Sequence, residues 1–274
     1  MLSVNTNYGA MVALQNLTQT QADLATTQNR ISTGLKVSGP ADNGAVWSVA
    51  QGLRATVQAF SSVTDSLNRT ISVVDTGIAA GTAVSNTLIT MKQMAVSASD
   101  TSISQASRNS YNAQFTALRD SITKTLANAV FDGSNLVDGT NATIQSLANA
   151  NGGSFITATG QNLSLGGAIV TVAAAGTVST AAKASTMIAT INTSFAALSL
   201  GLAQMGTDQT KFNNYRTFIS KLSDALKNGI GNLVNADLAA ESANLTALNT
   251  KQQLGVQALS IANQGPSILL SLFR

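Results

Sequence analysis

A strict heptad repeat at each end of the chain is the sequence feature that most constrains its fold. Near the N-terminus the repeat takes alternating steps of four and three residues through Ala10, Leu14, Leu17, Gln21, Leu24, Gln28, Ile31 and Leu35. Near the C-terminus it runs through Val234, Leu238, Glu241, Leu245, Leu248, Gln252, Gly255, Leu259 and Ala262. This spacing is typical of a coiled-coil seam. We therefore predict two terminal helices that pack on each other.

The outward faces of these two helices carry almost no charge. The first charged side chain is Asp23, and none lies between Lys251 and Arg274. A solvated helix normally carries charged residues opposite its seam. A two-helix coiled coil in water explains the seam but not these uncharged faces. We therefore favour the interpretation that other copies of the chain cover them. The candidate self-assembly core is then the set of apolar seam residues Leu14, Leu17, Leu24, Ile31, Leu35, Leu238, Leu245, Leu248 and Leu259.

Composition argues against an enzyme. Histidine and cysteine are absent, and Glu241 is the single glutamate. Their absence removes imidazole bases, thiol nucleophiles and the usual zinc ligands. The basic residues are scattered, without a cluster that interleaves with aromatic residues. We predict no catalytic activity, no metal, no cofactor and no nucleic-acid partner.

The chain also lacks the sequence signals of a membrane protein. The N-terminus has no positive region followed by an apolar run, so it does not read as a cleavable secretory signal. Polar residues such as Gln252 and Asn263 interrupt the uncharged C-terminal stretch. A membrane-active effector would need an amphipathic helix with a basic face, which we do not find. We expect no membrane insertion and no transmembrane helix.

Two breaks separate the terminal helices from the rest of the chain. Gly39 and Pro40 stop the first helix, and Asp42 or the residue after it is placed to cap the next one. We predict linkers at 36–46 and 228–236, the second from its glycines and asparagines. The linkers would lie side by side if the two halves of the chain run antiparallel.

The centre of the chain reads as helices followed by a small β region. Helices are predicted at 45–99, 102–129 and from 183 onward, and strands at 155–159 and 168–172. The fold class is mainly α: an elongated antiparallel helical hairpin with a small β-hairpin region at its tip. Its parts are a terminal coiled-coil domain (1–35 with 237–274), the two linkers, a helical middle domain (47–131 with 183–227) and a variable surface tip (132–182).

At both ends the residues resemble those of bacterial flagellins. The N-terminal motifs are Asn5-Thr6-Asn7, Ala13-Leu14-Gln15-Asn16-Leu17 and the run from Gln28 to Val37. The C-terminal motifs are the runs Glu241–Leu248 and Lys251–Gln264, and the ending Phe273-Arg274. The resemblance covers about 1–135 and 185–274. The short centre is similar to that of compact flagellins with little or no outer domain.

The resemblance implies an extracellular structural subunit that polymerises into the flagellar filament for motility. It also implies export by the flagellar type III apparatus with a chaperone. The filament cap and the hook-associated proteins are further implied partners. The alternative is a hook–filament junction protein, which shares flagellin-like terminal helices. The Lys251–Gln264 motif and the Phe273-Arg274 ending argue against that alternative.

Two further expectations concern the terminal segments. A carboxylate on a seam needs a partner, and Arg30 is the candidate partner of Glu241; the alternative is that Glu241 faces a wet channel. In the monomer we expect the terminal segments to be largely disordered, because an isolated uncharged pair makes too few contacts to offset the ordering of its backbone.

A candidate receptor-recognition stretch contains Leu88, Thr90, Lys92 and Met94. Thr90 stands where the flagellins recognised by the mammalian innate receptor carry an arginine. The resemblance therefore implies poor activation of that receptor.

Overall fold

The computed structural model describes residues 6–271, so the outermost parts of the predicted terminal domain, 1–5 and 272–274, lie outside the described residues. The elements in chain order are α1 (Tyr8–Thr33), α2 (Gly44–Ser99), α3 (Gln105–Ala127), β1 (Thr143–Leu147), β2 (Phe155–Thr159), α4 (Ala181–Val234) and α5 (Leu238–Ser271). The prediction of a mainly α fold with a small β-hairpin is confirmed.

The chain forms two compact units. Among the described residues, the terminal unit contains 6–55 and 225–271, and the central unit contains 56–224. Both predicted linkers belong to the terminal unit, and the predicted surface tip belongs to the central unit. Helices α2 and α4 each contribute residues to both units.

In the terminal unit, α1 and α5 pack as an antiparallel pair. Asn7 caps α1 by accepting a hydrogen bond from the Ala10 amide at 3.0 Å, and its own amide donates to the Ala262 carbonyl at 2.6 Å. At the other end, α1 stops at Gly34, whose φ of +69° suits glycine. Chain ends that lie far apart in sequence are thereby joined.

The two breaks lie side by side, as predicted. The Lys36 amide donates to the Val234 carbonyl at 2.8 Å, and the Ala236 amide donates to the Gly34 carbonyl at 2.9 Å. These bonds flank an antiparallel bridge between Leu35 and Asn235. The junction uses backbone groups that helix ends would otherwise leave unpaired.

The position of the second break was predicted wrongly. Helix α4 continues through the expected linker to Val234, and the interruption is limited to 235–237. Glycine within a helix costs roughly 0.5–1 kcal/mol relative to alanine. Here Ile230 and Val234 are buried, so packing of the helix outweighs the propensity of its glycines.

The core of the central unit is built on a heptad row of α4. The row consists of Ala184, Ile191, Leu198, Met205, Phe212 and Ile219, each no more than 1% exposed. Gly77 and Gly81 of α2 give α4 room to approach: a methyl group at Gly81 would lie 2.6 Å from Leu202 Cδ2. At both glycines the missing side chain leaves space for a side chain of α4.

The β-hairpin differs in part from the prediction. Strand β2 lies where expected, and it pairs antiparallel with β1 through Leu147 and Phe155 and through Thr143 and Thr159. Strand β1 was not predicted, and 168–172 is not a strand. In that segment the Thr171 amide donates to the Ser194 hydroxyl at 2.9 Å. A side chain of α4 thus replaces the partner strand.

One described helix, α4, is long and apolar enough by composition to cross a membrane. This criterion concerns length and composition alone, so the expectation of no transmembrane helix stays a prediction. The core row of α4 accounts for part of this composition, because burial against protein and burial in lipid select the same residue types; 28% of the apolar window is buried.

Candidate self-assembly surface

The covered face of α1 is shifted from the one predicted. Leu17 and Thr27 are buried, and Ala13, Thr20, Leu24 and Ile31 are half-buried. The predicted seam residues Leu14, Gln21 and Gln28 are exposed, so placing Leu14 in the seam of the pair was wrong. Small residues replace them because the helices approach closely. A methyl group at Gly255 would lie 3.3 Å from Leu17 Cδ1.

The covered face of α5 follows the prediction except at its start. Glu241 is buried, and the partly covered positions are Leu245, Leu248, Gln252, Gly255, Leu259 and Ala262. Leu238 is 50% exposed, so it does not belong to the seam of the pair. Leu35 is half-buried at the bridge to Asn235.

The pair leaves an apolar face of α1 uncovered. This face consists of Tyr8, Met11, Leu14, Gln15, Thr18 and Ala22, and it lines a shallow groove. Tyr8 is 80%, Met11 64% and Leu14 54% exposed. On α5, Leu254 and Ile261 are also exposed. Among the described side chains of α1 and α5, only Leu17, Thr27 and Glu241 are buried. Apolar patches of this kind mark interaction surfaces.

The structure brings Arg30 and Glu241 together. Arg30 Nη1 lies 3.0 Å from Glu241 Oε1, and the side chains are 39% and 11% exposed. The second carboxylate oxygen, Oε2, is buried without a hydrogen-bond partner among the described residues. Arg30 thus compensates a carboxylate that would be costly to bury alone.

The linker residues form a compact turn. The Asp42 carboxylate accepts hydrogen bonds from the Ser38 amide at 2.8 Å, the Ser38 hydroxyl at 2.9 Å and the Gly39 amide at 3.1 Å. The hydroxyl bond contributes most to lowering the pKa of Asp42, followed by the two amide bonds. Asn43 caps α2 instead, accepting from the Val46 amide at 3.0 Å. Pro40 is exposed within this turn.

The candidate receptor-recognition stretch is divided between core and surface. Leu88 is fully buried in the central unit, so it is not available at the surface. Thr90 and Lys92 are exposed, and Met94 is half-buried. The Thr90 hydroxyl donates to the Asn86 carbonyl within α2 at 3.2 Å.

A second apolar groove, which was not predicted from the sequence, lies on α4 in the central unit. Its lining includes Ala203, Thr207, Thr210 and Phe218, with Phe218 53% exposed. These residues recur at helical spacing opposite the core row, which is the signal that could have revealed them. Over the described part of the chain, no group of three or more acidic residues is arranged to hold a metal ion.

Comparison with known proteins places this arrangement in a family. The bacterial flagellin N-terminal helical region matches residues 4–142, and the bacterial flagellin C-terminal helical region matches residues 188–273. Flagellin FljM of Caulobacter vibrioides is 49% identical, over 99% of this chain and 98% of that protein. The flagellin of Brucella melitensis is 35% identical, with 100% of both chains covered.

Among solved structures, one from Vibrio parahaemolyticus, described as a flagellar hook-associated protein, superposes with a TM-score of 0.59. Its identity is 12%, and the match covers 71% of this chain and 100% of that one. This similarity concerns the fold alone. Fold and sequence together define a class of helical flagellar proteins. Within that class, the chain belongs to the bacterial flagellin family, and its 274 residues fit a short form without an outer domain.

Proposed function

We propose that this chain is a structural subunit of a bacterial flagellar filament, and that it polymerises by burying the uncovered faces of α1 and α5 on neighbouring copies. The family match over both terminal regions supports the filament role. The exposure of Tyr8, Met11 and Leu14 on a helix with few charges supports the mechanism.

The size of the driving force supports contacts with several neighbours. Full burial of a leucine or methionine side chain stabilises by roughly 1.5–3 kcal/mol. Met11 and Leu14 are already partly covered, so each can contribute only on the order of 1 kcal/mol. Association also has an entropic cost. In a polymer each subunit contacts several others, so burial of side chains at several contacts offsets this entropic cost.

Seeded growth of the purified protein, viewed by electron microscopy, tests the proposal. We expect long filaments from the parent chain. Leu14→Asn should slow growth without lowering the melting temperature of the monomer, because Leu14 is exposed there. Thr26→Asn, an exposed polar exchange on the same helix, is the matched control and should grow normally. Normal growth of Leu14→Asn would contradict the mechanism, and failure of the parent to form long filaments would contradict the function.

We assign the chain's remaining partners from its family. An export chaperone, the flagellar type III apparatus, the filament cap and the hook-associated proteins are its expected partners, and its expected location is outside the cell. We propose no enzymatic activity. Expression in a flagellated host with and without a working type III export gate tests the route. The chain should reach the medium only when the gate works, and equal secretion in both hosts would contradict this route.

A further inference from the structure

Three asparagine–glycine steps occur in the chain, at Asn43, Asn151 and Asn228. Such steps are chemically labile, because the glycine has no side chain to hinder attack by its backbone nitrogen on the preceding side-chain amide. Attack also requires a backbone that can reach the reactive geometry, which glycine adopts readily outside helices. The fold therefore decides which of the three steps reacts.

The turn of the β-hairpin presents Asn151 at its apex. Below the apex, the Asn149 side chain accepts hydrogen bonds from the Gly153 amide at 3.0 Å and the Ser154 amide at 3.3 Å. The Ala148 amide donates to the Ser154 carbonyl at 2.8 Å. These bonds fix the base of the turn and hold the side chain of Asn149, but they do not involve the side chain of Asn151.

The reacting groups at the apex are accessible. Asn151 and Gly152 are both exposed, and no atom lies within 4 Å of the position that a side chain on Gly152 would take. Within the described structure, the Asn151 side chain makes no hydrogen bond. The Gly152 amide donates to the Asn149 carbonyl at 3.3 Å, which is longer than a typical amide hydrogen bond.

The other two asparagine–glycine steps are held in unreactive states. The Asn43 side chain is engaged as the cap of α2, where its oxygen accepts from the Val46 amide at 3.0 Å, and Gly44 is already helical. Gly229 lies inside α4. There its amide nitrogen belongs to the helical hydrogen-bond ladder, and the backbone is fixed.

We propose that Asn151 is a site of spontaneous deamidation in the folded protein. The Gly152 nitrogen attacks Cγ of Asn151 and loses its proton to solvent, and the Cγ–Nδ2 bond breaks to release ammonia. Water then opens the cyclic imide at either carbonyl, giving aspartate or isoaspartate. The balance is one water consumed and one ammonia released, with no oxidant or reductant.

The modification places a charge where the chain has none. From Thr140 to Ala182 no charged side chain occurs. The new carboxylate lowers the formal net charge of the chain from +3 to +2. The isoaspartate product also inserts an extra backbone carbon at the apex of the hairpin turn.

Timed peptide mapping by mass spectrometry tests the proposal on the full-length protein at mildly alkaline pH. The acid and isoaspartyl forms of the Asn151 peptide should accumulate at least about tenfold faster than those of the Asn43 and Asn228 peptides, because the helical sites must first open locally. A rate at either helical site equal to that at Asn151 would overturn the proposal.

Two controls separate fold from local sequence. In concentrated urea the three rates should converge, and an undiminished lead of Asn151 there would show that the fold is not the cause. Gly152→Ala should slow the reaction, whereas Gly153→Ala, in equally open space one residue later, should not. Equal rates in the two variants would contradict attack by the Gly152 nitrogen.

Discussion

Arg30, in the last turn of α1, forms an ion pair at 3.0 Å with Glu241, in the first turn of α5, across 211 residues of sequence. The pair closes one end of the terminal helix pair, close to the junction where the backbones of Lys36 and Val234 are hydrogen-bonded. Its position couples the two terminal helices to the linker region of the same unit.

Removing either partner of this pair should destabilise the terminal unit. A hydrogen bond to a charged group contributes about 1.5–3 kcal/mol to the free energy of unfolding. Because Arg30 is 39% exposed, we expect a loss at or below the lower end of this range. We expect Arg30→Met and Glu241→Gln filaments to dissociate at lower temperature than the parent. The decrease in the double variant should be smaller than the sum of the two single decreases.

The matched control for this pair is Arg69→Met. Arg69 and Asp132 lie 3.6 Å apart with both side chains about 60% exposed, so their separation should change stability little. If Glu241→Gln filaments resist heat as well as the parent, the Arg30–Glu241 pair does not stabilise the assembly.

The same glycine-to-alanine change should have opposite effects at two helical positions of the central unit. A methyl group on Gly77 would collide with the buried side chain of Met205, and overpacking typically costs about 1–3 kcal/mol. Gly206 has open space, so Gly206→Ala should stabilise by roughly 0.5–1 kcal/mol. Urea unfolding of the two variants measures both values, and a gain in stability for Gly77→Ala would refute the close packing of Gly77 against Met205.

Asp42 should make the linker turn sensitive to acid. The hydrogen bond from the Ser38 hydroxyl, with those from the Ser38 and Gly39 amides, lowers the pKa of the folded carboxyl below its ordinary value of 3.8. The unfolded chain then binds more protons as pH falls. The stabilisation is thus complete above pH 3.8 and is lost as pH falls through the lowered pKa.

The Asp42→Asn variant tests whether the stabilisation by Asp42 is lost as pH falls. At neutral pH its linker amides should exchange hydrogen faster than those of the parent, and the difference should vanish at a pH below the lowered pKa. Ser38→Ala removes the hydroxyl that contributes most to lowering the pKa of Asp42, and it should reproduce part of the effect. A difference that persists unchanged in acid would show that the Asp42 charge is not responsible.

The terminal helices should be weakly protected in the dilute monomer. Few of their described side chains are buried, so their contacts offset little of the backbone ordering, which costs about 1–2 kcal/mol per residue. Hydrogen exchange of the monomer should be fast in α1 and α5 and slow around Leu67 and Leu88 in the central unit. After polymerisation, α1 and α5 should become protected. Strong protection of both helices in the monomer would oppose the proposed assembly mechanism.

Purified monomer should activate the mammalian innate flagellin receptor poorly. Thr90 is exposed on α2. The resemblance to flagellins implies that the members recognised by this receptor carry an arginine at this position. A receptor-reporter cell line gives the measurement, with Thr90→Arg as the variant expected to gain response. Strong stimulation by the parent protein would contradict the prediction.

The sequence alone determined most of the helical segments of this protein and the family to which it belongs. Heptad spacing and terminal motifs are local patterns, so they can be recognised without knowledge of the surface that the helix contacts. Heptad spacing predicted the pairing of α1 with α5. The Gly39-Pro40 break predicted the start of α2, and strand propensity predicted the position of β2. The Arg30–Glu241 contact could be predicted from the sequence, because a buried carboxylate requires a nearby cation.

Only the tertiary structure decided which side of α1 meets α5. Leu17 belongs to two possible contact faces of α1, one that contains Leu14 and one that contains Ala13. Hydrophobicity alone favours the face that contains Leu14. The distance between the helices favours Ala13, Thr20 and Thr27, because small side chains permit close approach. In the same way, α4 remains helical beyond its glycines because Ile230 and Val234 are buried. The Ser194 hydroxyl accepts the hydrogen bond from the Thr171 amide that a partner strand would otherwise accept. Each outcome depends on a neighbour distant in sequence, which no local pattern encodes.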